Sequence, residues 1–202
     1  MNTNAAAAGM GGAAQRLLAG AGAAGGRGPA PVHLWNPPYC GEIDMRIAAD
    51  GSWHYNGTPI HRPAMVKLFA TILRKDPERH VLVTPVERVG IKVDDAPFLA
   101  VDVDSEATAG GETLFIRTNL DDIVALGAEH PLRFETARDG GLKPYVHVRG
   151  DLWALVSRSL VHDLVARAVV ETDPATGRDL FGIRSGGAFF AMAPADASGG
   201  GM

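Results

Sequence analysis

The run MRIAADGSWHYNGTPI, residues 45–60, sets the fold class. Asp50-Gly51 and Asn56-Gly57 are turn dipeptides, and strand-forming residues flank both. Short antiparallel strands are therefore expected near 44–48 and 52–55. A helix follows at once. Pro63 suits a first helical turn, where its missing N–H is no loss. Met65, Leu68, Phe69, Ile72 and Leu73 fall at i, i+3, i+4, i+7 and i+8, one apolar face, and Pro77 stops the run. A helix between strands that pair antiparallel points to an α+β fold and away from a doubly wound parallel sheet.

Outward from there, HVLVTP and RVGIKV read as strands. PFLAVDVDSE and TLFIRTNL follow, with ATAGGE as the hairpin between them. LRFETARDGGLKPYVHVRGD then gives strand, Asp-Gly-Gly turn and strand. DLWALVSRSLVHDLVARAVV reads as a helix capped by Asp151, with Trp153, Val156, Leu160, Leu164 and Ala168 as its stripe. RDLFGIRSGGAFFAMA closes with two strands. The order strand, turn, strand, helix, strand, strand thus occurs twice, about 90 residues apart, as two related β-rich domains would. Any α+β chain has some such rhythm, and identity between the copies is slight. The expected boundaries are an Ala/Gly-rich disordered tail over 1–31, an N-terminal domain over 32–84, a C-terminal domain over 85–194 and a disordered tail over 195–202. The first tail holds only Arg16 and Arg27 as charges and few large side chains, too few to offset the entropy of ordering it.

The 202 residues are 46% hydrophobic and 21% charged, with a net charge of -4. That balance gives no reason to expect a nucleic-acid polymer or an anionic membrane as partner. Cys40 is the single cysteine, so no intrachain disulfide can form, which fits a cytoplasmic protein. No apolar run approaches the roughly 18 residues of a membrane helix.

The candidate chemistry is sparse. No G-x-G-x-x-G follows a strand, and no G-x-x-x-x-G-K-[ST] occurs. The histidines at 33, 54, 61, 80, 130, 147 and 162 include no i, i+4 pair and no H-E-x-x-H. Neither a metal nor another cofactor is expected. Cys40 lacks a signature around it and reads first as a structural or lining thiol. An enzyme, hydrolase-like, would act through Cys40 with a histidine or through Asp94 and Asp95. Asp102 and Asp104 alternate with valines on one strand face and read as solvated. The arginines are more suggestive. Arg46 lies on an early strand, and Arg62 and Arg149 each precede a predicted helix. Free N–H groups at a helix start favour anions, and a guanidinium adds bidentate phosphate or carboxylate binding. Arg184-Ser185-Gly186-Gly187 is a donor-rich turn.

With these residues in view, the chain resembles the bacterial domain-of-unknown-function family 1285 over nearly all of residues 33–192. The resemblance rests on HLWNPPYCGEIDMRI (W-N-P-P-x-C-G), the Arg-Pro after TPI, TPVE…VDDAPF, HPLRFE…PYVHVRGDLWALV and SGGAFF. It implies a core built by domain duplication, with a second half of pleckstrin-homology shape. It also implies a nucleotide-like ligand at the interface of the two domains, and a role in signalling. The family has no assigned reaction.

The expectation is thus a non-catalytic ligand-binding or signalling module for a small anionic, nucleotide-like ligand. Trp35, Asn36, Cys40, Arg46, Arg62 and Arg149 are its candidate site. Trp35 offers a flat wall and one donor, and Asn36 offers donors and an acceptor. An enzyme and a protein-interaction domain with a protein partner are the alternatives.

Overall fold

The structure is a computed structural model, and it describes residues 11–23, 28–109, 111–137 and 140–195. The chain divides into two compact units. The first runs to Pro97 and takes in Gly150–Leu152, and the second holds Phe98–Arg149 and the chain from Trp153.

In the first unit the elements are α1 (Gly12–Ala23), β1 (Tyr39–Ile47), β2 (Trp53–Tyr55), β3 (Thr58–Pro59), α2 (Pro63–Thr71), β4 (Leu73–Lys75), β5 (His80–Val83) and β6 (Arg88–Val93). They form one sheet of order β3-β2-β1-β6-β5-β4, in which β1 and β6 run parallel and the other neighbours antiparallel. The two turns read from the sequence close the β1–β2–β3 meander. Gly51 and Gly57 take the left-handed backbone that the turns require, at φ 78° and 73°. The period-two pattern then does its work: Met45, Ile47 and Trp53 are buried, while Asp44 and Arg46 are exposed. Helix α2 lays Met65 and Phe69 into this core. Phe69 stacks on Trp53 with ring centroids 6.2 Å apart and planes 10° from parallel. Each such ring, fully buried, contributes about 1.5–3 kcal/mol.

The second unit repeats the plan. Its elements are β7 (Phe98–Thr108), β8 (Gly111–Thr118), β9 (Ile123–Ala125), β10 (Leu132–Thr136), β11 (Leu142–Arg149), β12 (Leu152–Val156), α3 (Arg158–Ala166), β13 (Val169–Thr172), β14 (Asp179–Ser185) and β15 (Ala188–Pro194). Its six-stranded sheet has the order β9-β8-β7-β12-β11-β10, with β7 and β12 parallel. Shifting every strand number of the first sheet by six reproduces the second. The fold is therefore α+β and β-rich, with an internal duplication. Strands β13, β14 and β15 form a further three-stranded antiparallel sheet.

The phase of the repeat differs from the one the helices suggested. The strands correspond at a spacing of about 60 residues, Tyr39 to Phe98 at the first and Arg88 to Leu152 at the last. Helix α2 sits between the third and fourth strands of its copy, whereas α3 follows the sixth strand of the other. Residues expected as one helix from Asp151 are a strand followed by a helix. Leu152, Ala154 and Val156 are buried at period two along β12, and Ser157 then caps α3 by accepting from the Leu160 N–H. The division at Pro97 also replaces the boundary expected at residue 84. Strand β6 pairs with β1 and β5 and so completes the first sheet.

The Ala/Gly-rich segment is likewise not wholly a tail. Residues 12–23 form α1, and Ala14, Leu17 and Ala21 on one stripe are fully buried. Gly20 permits this, since a Cβ there would meet Thr84 Cγ2 at 2.7 Å. Helix α1 packs beside α2, and Arg16 approaches Glu87 at 3.6 Å. Composition underrated it because an Ala/Gly helix of this length is marginal alone and is held by packing. Residues 1–10, 24–27 and 196–202 of the two expected tails lie outside the described residues.

His80 opens β5 in register with Lys75 and Ile91. Burial, with the Lys75 charge adding to it, pushes its pKa down to about 4. The unfolded imidazole, near 6.5, binds protons more readily. Stability from this group is thus complete above pH 6.5 and is lost as pH falls towards 4. We expect the urea midpoint at pH 4.5 to report ~1–3 kcal/mol less stability from this residue than at pH 7. His80→Gln should flatten that part of the profile; an unchanged profile would remove His80 as its cause.

Candidate functional site

The segment leading into the first sheet is held by one guanidinium. Residues Val32–Leu34 make a short 3-10 turn beside β4. Arg74 Nη1 donates to the carbonyls of Val32 and Trp35, at 2.8 and 2.7 Å, and its Nε donates to Asp76 Oδ1 at 2.7 Å. Asp76 also accepts from Arg88 Nη1 at 3.0 Å. Pro37 and Pro38 keep the chain extended beyond this anchor. Trp35 is half-buried, and Asn36 and Cys40 are exposed. Tyr39 carries Arg79 and Arg88 over its ring, 5.0 and 6.0 Å from the centroid. The Cys40 thiol donates weakly to the Pro38 carbonyl at 3.5 Å.

On β1, Arg46 faces solvent in register with Lys92 of β6 and His54 of β2, so three nitrogen-bearing side chains cross one face of the sheet. Arg46 binds Asp94 bidentately, through Nε at 3.0 and 2.9 Å and through Nη2. That hydrogen bond holds Asp94 below the usual carboxylate range and raises Arg46. Lys92 stands 3.9 Å from Asp94. Beside them, Ser52 donates its hydroxyl to Asp50 at 2.6 Å and lies 2.9 Å from His54 Nε2. The Ser52 proton is thus committed to Asp50, and His54 Nε2 is the donor to Ser52. This is not the geometry of a histidine activating a serine, which needs the serine proton on the imidazole side.

Arg62 is exposed at the N-cap of α2. Its side chain has no hydrogen bond, ion pair or ring contact within the described residues. Pro63 at the first helical position removes one of the free N–H groups expected there, so the guanidinium carries most of the attraction for an anion.

Arg149 departs from expectation. It ends β11 and does not start a helix. Its Nη1 donates to Asp122 Oδ1 at 2.7 Å, and its guanidinium lies 4.8 Å over the Phe98 ring. In the strand correspondence above, Arg62 and Arg149 occupy different places, so they are not duplicate positions. Trp35, Asn36, Cys40, Arg46 and Arg62 belong to the first unit, and Arg149 to the second.

The remaining sequence candidates are absorbed by structure. Asp102 and Asp104 flank Arg117 on a sheet face, at 3.0 and 3.6 Å. Arg184 pairs with Glu171. Ser185 is buried and doubly bonded, and Gly186-Gly187 is a tight hairpin turn with both φ positive. Arg74, Arg79 and Arg88 were not singled out from the sequence. Their partners are main-chain carbonyls and Asp76 for Arg74, Asp76 for Arg88, and the Tyr39 hydroxyl, Glu78 and Glu42 for Arg79, most of them set by strand pairing and not by spacing. No helix among the described residues is long and apolar enough to cross a membrane.

Comparison with known proteins agrees with this architecture. A crystal structure of a DUF1285 family protein from Silicibacter pomeroyi DSS-3 is 46% identical, with a TM-score of 0.81 over 90% of this chain and 97% of that one. A second, from Shewanella baltica OS155, is 28% identical, with a TM-score of 0.50 over 60% of this chain and 90% of that one. No curated protein matched. The N-terminal domain of the domain of unknown function DUF1285 matches residues 30–96, and its C-terminal domain matches residues 97–192. Their junction coincides with the division between the two units at Pro97, and the chain belongs to the DUF1285 family.

Proposed function

We propose that this chain is a non-catalytic ligand-binding module of bacterial, cytoplasmic signalling, and that its first unit takes a small anionic ligand, with nucleotide-like phosphate esters the first candidates. One observation carries the proposal: Arg62 presents its guanidinium to solvent at the start of α2, with no partner among the described residues. The row Lys92, Arg46 and His54 adds two formal cations on the same unit, beside two aspartates, Asp94 and Asp50. The enzyme reading is weaker on the same geometry. Cys40 has a carbonyl and no imidazole as partner among the described residues, Asp94 is tied to Arg46, and Ser52 points its proton at Asp50.

The test is a thermal-shift screen of the full chain against nucleotides, cyclic nucleotides and phosphorylated metabolites. A ligand at 100 times its dissociation constant should add about 2.7 kcal/mol. An anionic hit supports the proposal. A screen in which no anion moves the transition counts against it, and fast, selective labelling of Cys40 at neutral pH would favour the enzyme.

A further inference from the structure

Helix α1 is held to the first unit by little. Its buried stripe is Ala14, Leu17 and Ala21, and Leu17 is the one large side chain among them. Three of its twelve residues, Gly12, Gly20 and Gly22, weaken the helix itself. Arg16 stands 3.6 Å from Glu87, but its side chain is 65% exposed and water screens the pair. What α1 packs beside is α2. There Phe69 stacks on Trp53, while Val66 and Ala70 lie about 100° round the helix from Met65 and Phe69 and are buried as well. That flank of α2 is the ground α1 occupies.

The two ends of α1 meet the unit differently. A Cβ at Gly11 would meet the Tyr55 hydroxyl at 2.8 Å, the tip of a long side chain that can shift. A Cβ at Gly20 would meet Thr84 Cγ2 at 2.7 Å and Thr84 Cβ at 3.0 Å. Thr84 is buried and cannot turn its methyl aside. Its Oγ1 accepts from the Val86 and Glu87 N–H groups at 3.4 and 3.2 Å and donates to the Glu87 carbonyl at 3.3 Å, so rotating the side chain breaks the turn that joins β5 to β6.

We propose that α1 is a detachable cover on α2, that it undocks as one piece while the sheet beneath stays folded, and that Gly20 against Thr84 is its latch. Undocking costs the contacts of one leucine and two alanines and bares Val66 and Ala70. The α2–Trp53 packing that holds the core is untouched. Such a segment opens well below the free energy of global unfolding. The proposal does not depend on the anion site.

The latch gives two glycine substitutions opposite outcomes. Alanine at either Gly20 or Gly22 strengthens an isolated helix, by up to about fivefold in its equilibrium. At Gly22 a Cβ meets nothing within 4 Å, whereas at Gly20 it strikes Thr84. Hydrogen exchange on the full chain reads the difference. In wild type, the amides from Gln15 to Ala23 should be protected, exchange together, and do so at least about tenfold faster than those of β1 and β6. Gly22→Ala should raise α1 protection by up to about fivefold. Gly20→Ala should abolish it and leave the urea midpoint of the sheet unchanged. Adding Thr84→Ser to Gly20→Ala removes the methyl and keeps the hydroxyl, and should restore most of the protection. Any of five results would overturn the proposal. They are α1 as slow to exchange as the strands, α1 without protection in wild type, a rise in Gly20→Ala like that in Gly22→Ala, loss of the whole unit in Gly20→Ala, or no recovery with Thr84→Ser.

Discussion

Arg74→Ala is expected to lower the stability of the first unit by about 3 kcal/mol. The guanidinium is mostly buried and makes four contacts, to two main-chain carbonyls and to both oxygens of Asp76. A hydrogen bond from a charged donor contributes about 1.5–3 kcal/mol, and the contributions overlap. Alanine takes a charged donor from the Val32 and Trp35 carbonyls, of which Val32 keeps only the Trp35 N–H at 3.3 Å. It also leaves Asp76, 19% exposed, with Arg88 as its remaining side-chain cation. Removing one member of a part-buried ion pair costs more than the pair contributes, because the other charge stays desolvated. The segment 32–36 should then detach before the sheet melts. Hydrogen exchange separates the two effects. Protection should fall first at the amides of 32–35, then at β4 and β5. Urea unfolding indistinguishable from wild type would mean that the segment is held by something other than Arg74. Arg74→Lys should recover little, since one ammonium cannot reach two carbonyls and a carboxylate in the planar arrangement a guanidinium supplies.

Ser185→Ala is expected to cost the second unit about 3 kcal/mol. The Ser185 hydroxyl is inserted into a β-ladder. Leu126 N–H donates directly to the Leu114 carbonyl at 2.8 Å, but the reciprocal bond is absent. In its place Leu114 N–H donates to Ser185 Oγ at 2.8 Å, and Ser185 Oγ donates to the Leu126 carbonyl at 2.7 Å. Ser185 is wholly buried, so no water replaces the oxygen at once. Alanine strands one donor and one acceptor, each at about 1–3 kcal/mol. The neighbouring Gly186 N–H bonds to the Glu112 carbonyl and fixes the end of β14 against β8, which limits closing of the gap. Exchange at the Leu114 amide should accelerate at least as much as global stability falls. Wild-type protection at Leu114 in the variant would show that the ladder closes on itself.

Much of the first sheet was legible because its signals are local. Asp50-Gly51 and Asn56-Gly57 fix turns through backbone conformation, and the Met65–Phe69–Ile72 stripe names the helix face that meets Trp53. Errors arose where two periods overlap. Trp153, Val156, Leu160 and Leu164 lie at helical spacing, yet the first two belong to a strand and the last two to a helix. Ser157 between them was the available signal, a capping residue ahead of Leu160. Taking that helix as the landmark displaced the repeat and set Arg149, like Arg62, ahead of a helix. Strand order, a long-range property, corrects it. Helix α1 was hidden for another reason: its stability lies in Leu17 and in the glycine that lets it approach Thr84, not in its own composition.

The candidate site was legible in part. Arg46 lies on β1 and Arg62 at the start of α2, the places the sequence suggested for them. The reading of Arg46 missed its carboxylate partner, because Asp94 lies 48 residues away across a parallel pair of strands. Arg74 holds the chain at Val32 and Trp35 through carbonyls, which every residue has and no sequence signal marks; only its pairing with Asp76 is local.

The measurement that bears most directly on the account is titration calorimetry of the best anionic hit against wild type, Arg62→Ala, Arg46→Ala and Arg149→Ala, each in the full chain. If the first unit holds the anion, Arg62→Ala should weaken binding at least about tenfold, the loss of one charge-assisted contact. Arg46→Ala should weaken it as well, while freeing Asp94 to repel the ligand. Affinity unchanged in both variants, or lost only in Arg149→Ala, would contradict the assignment of anion binding to the first unit.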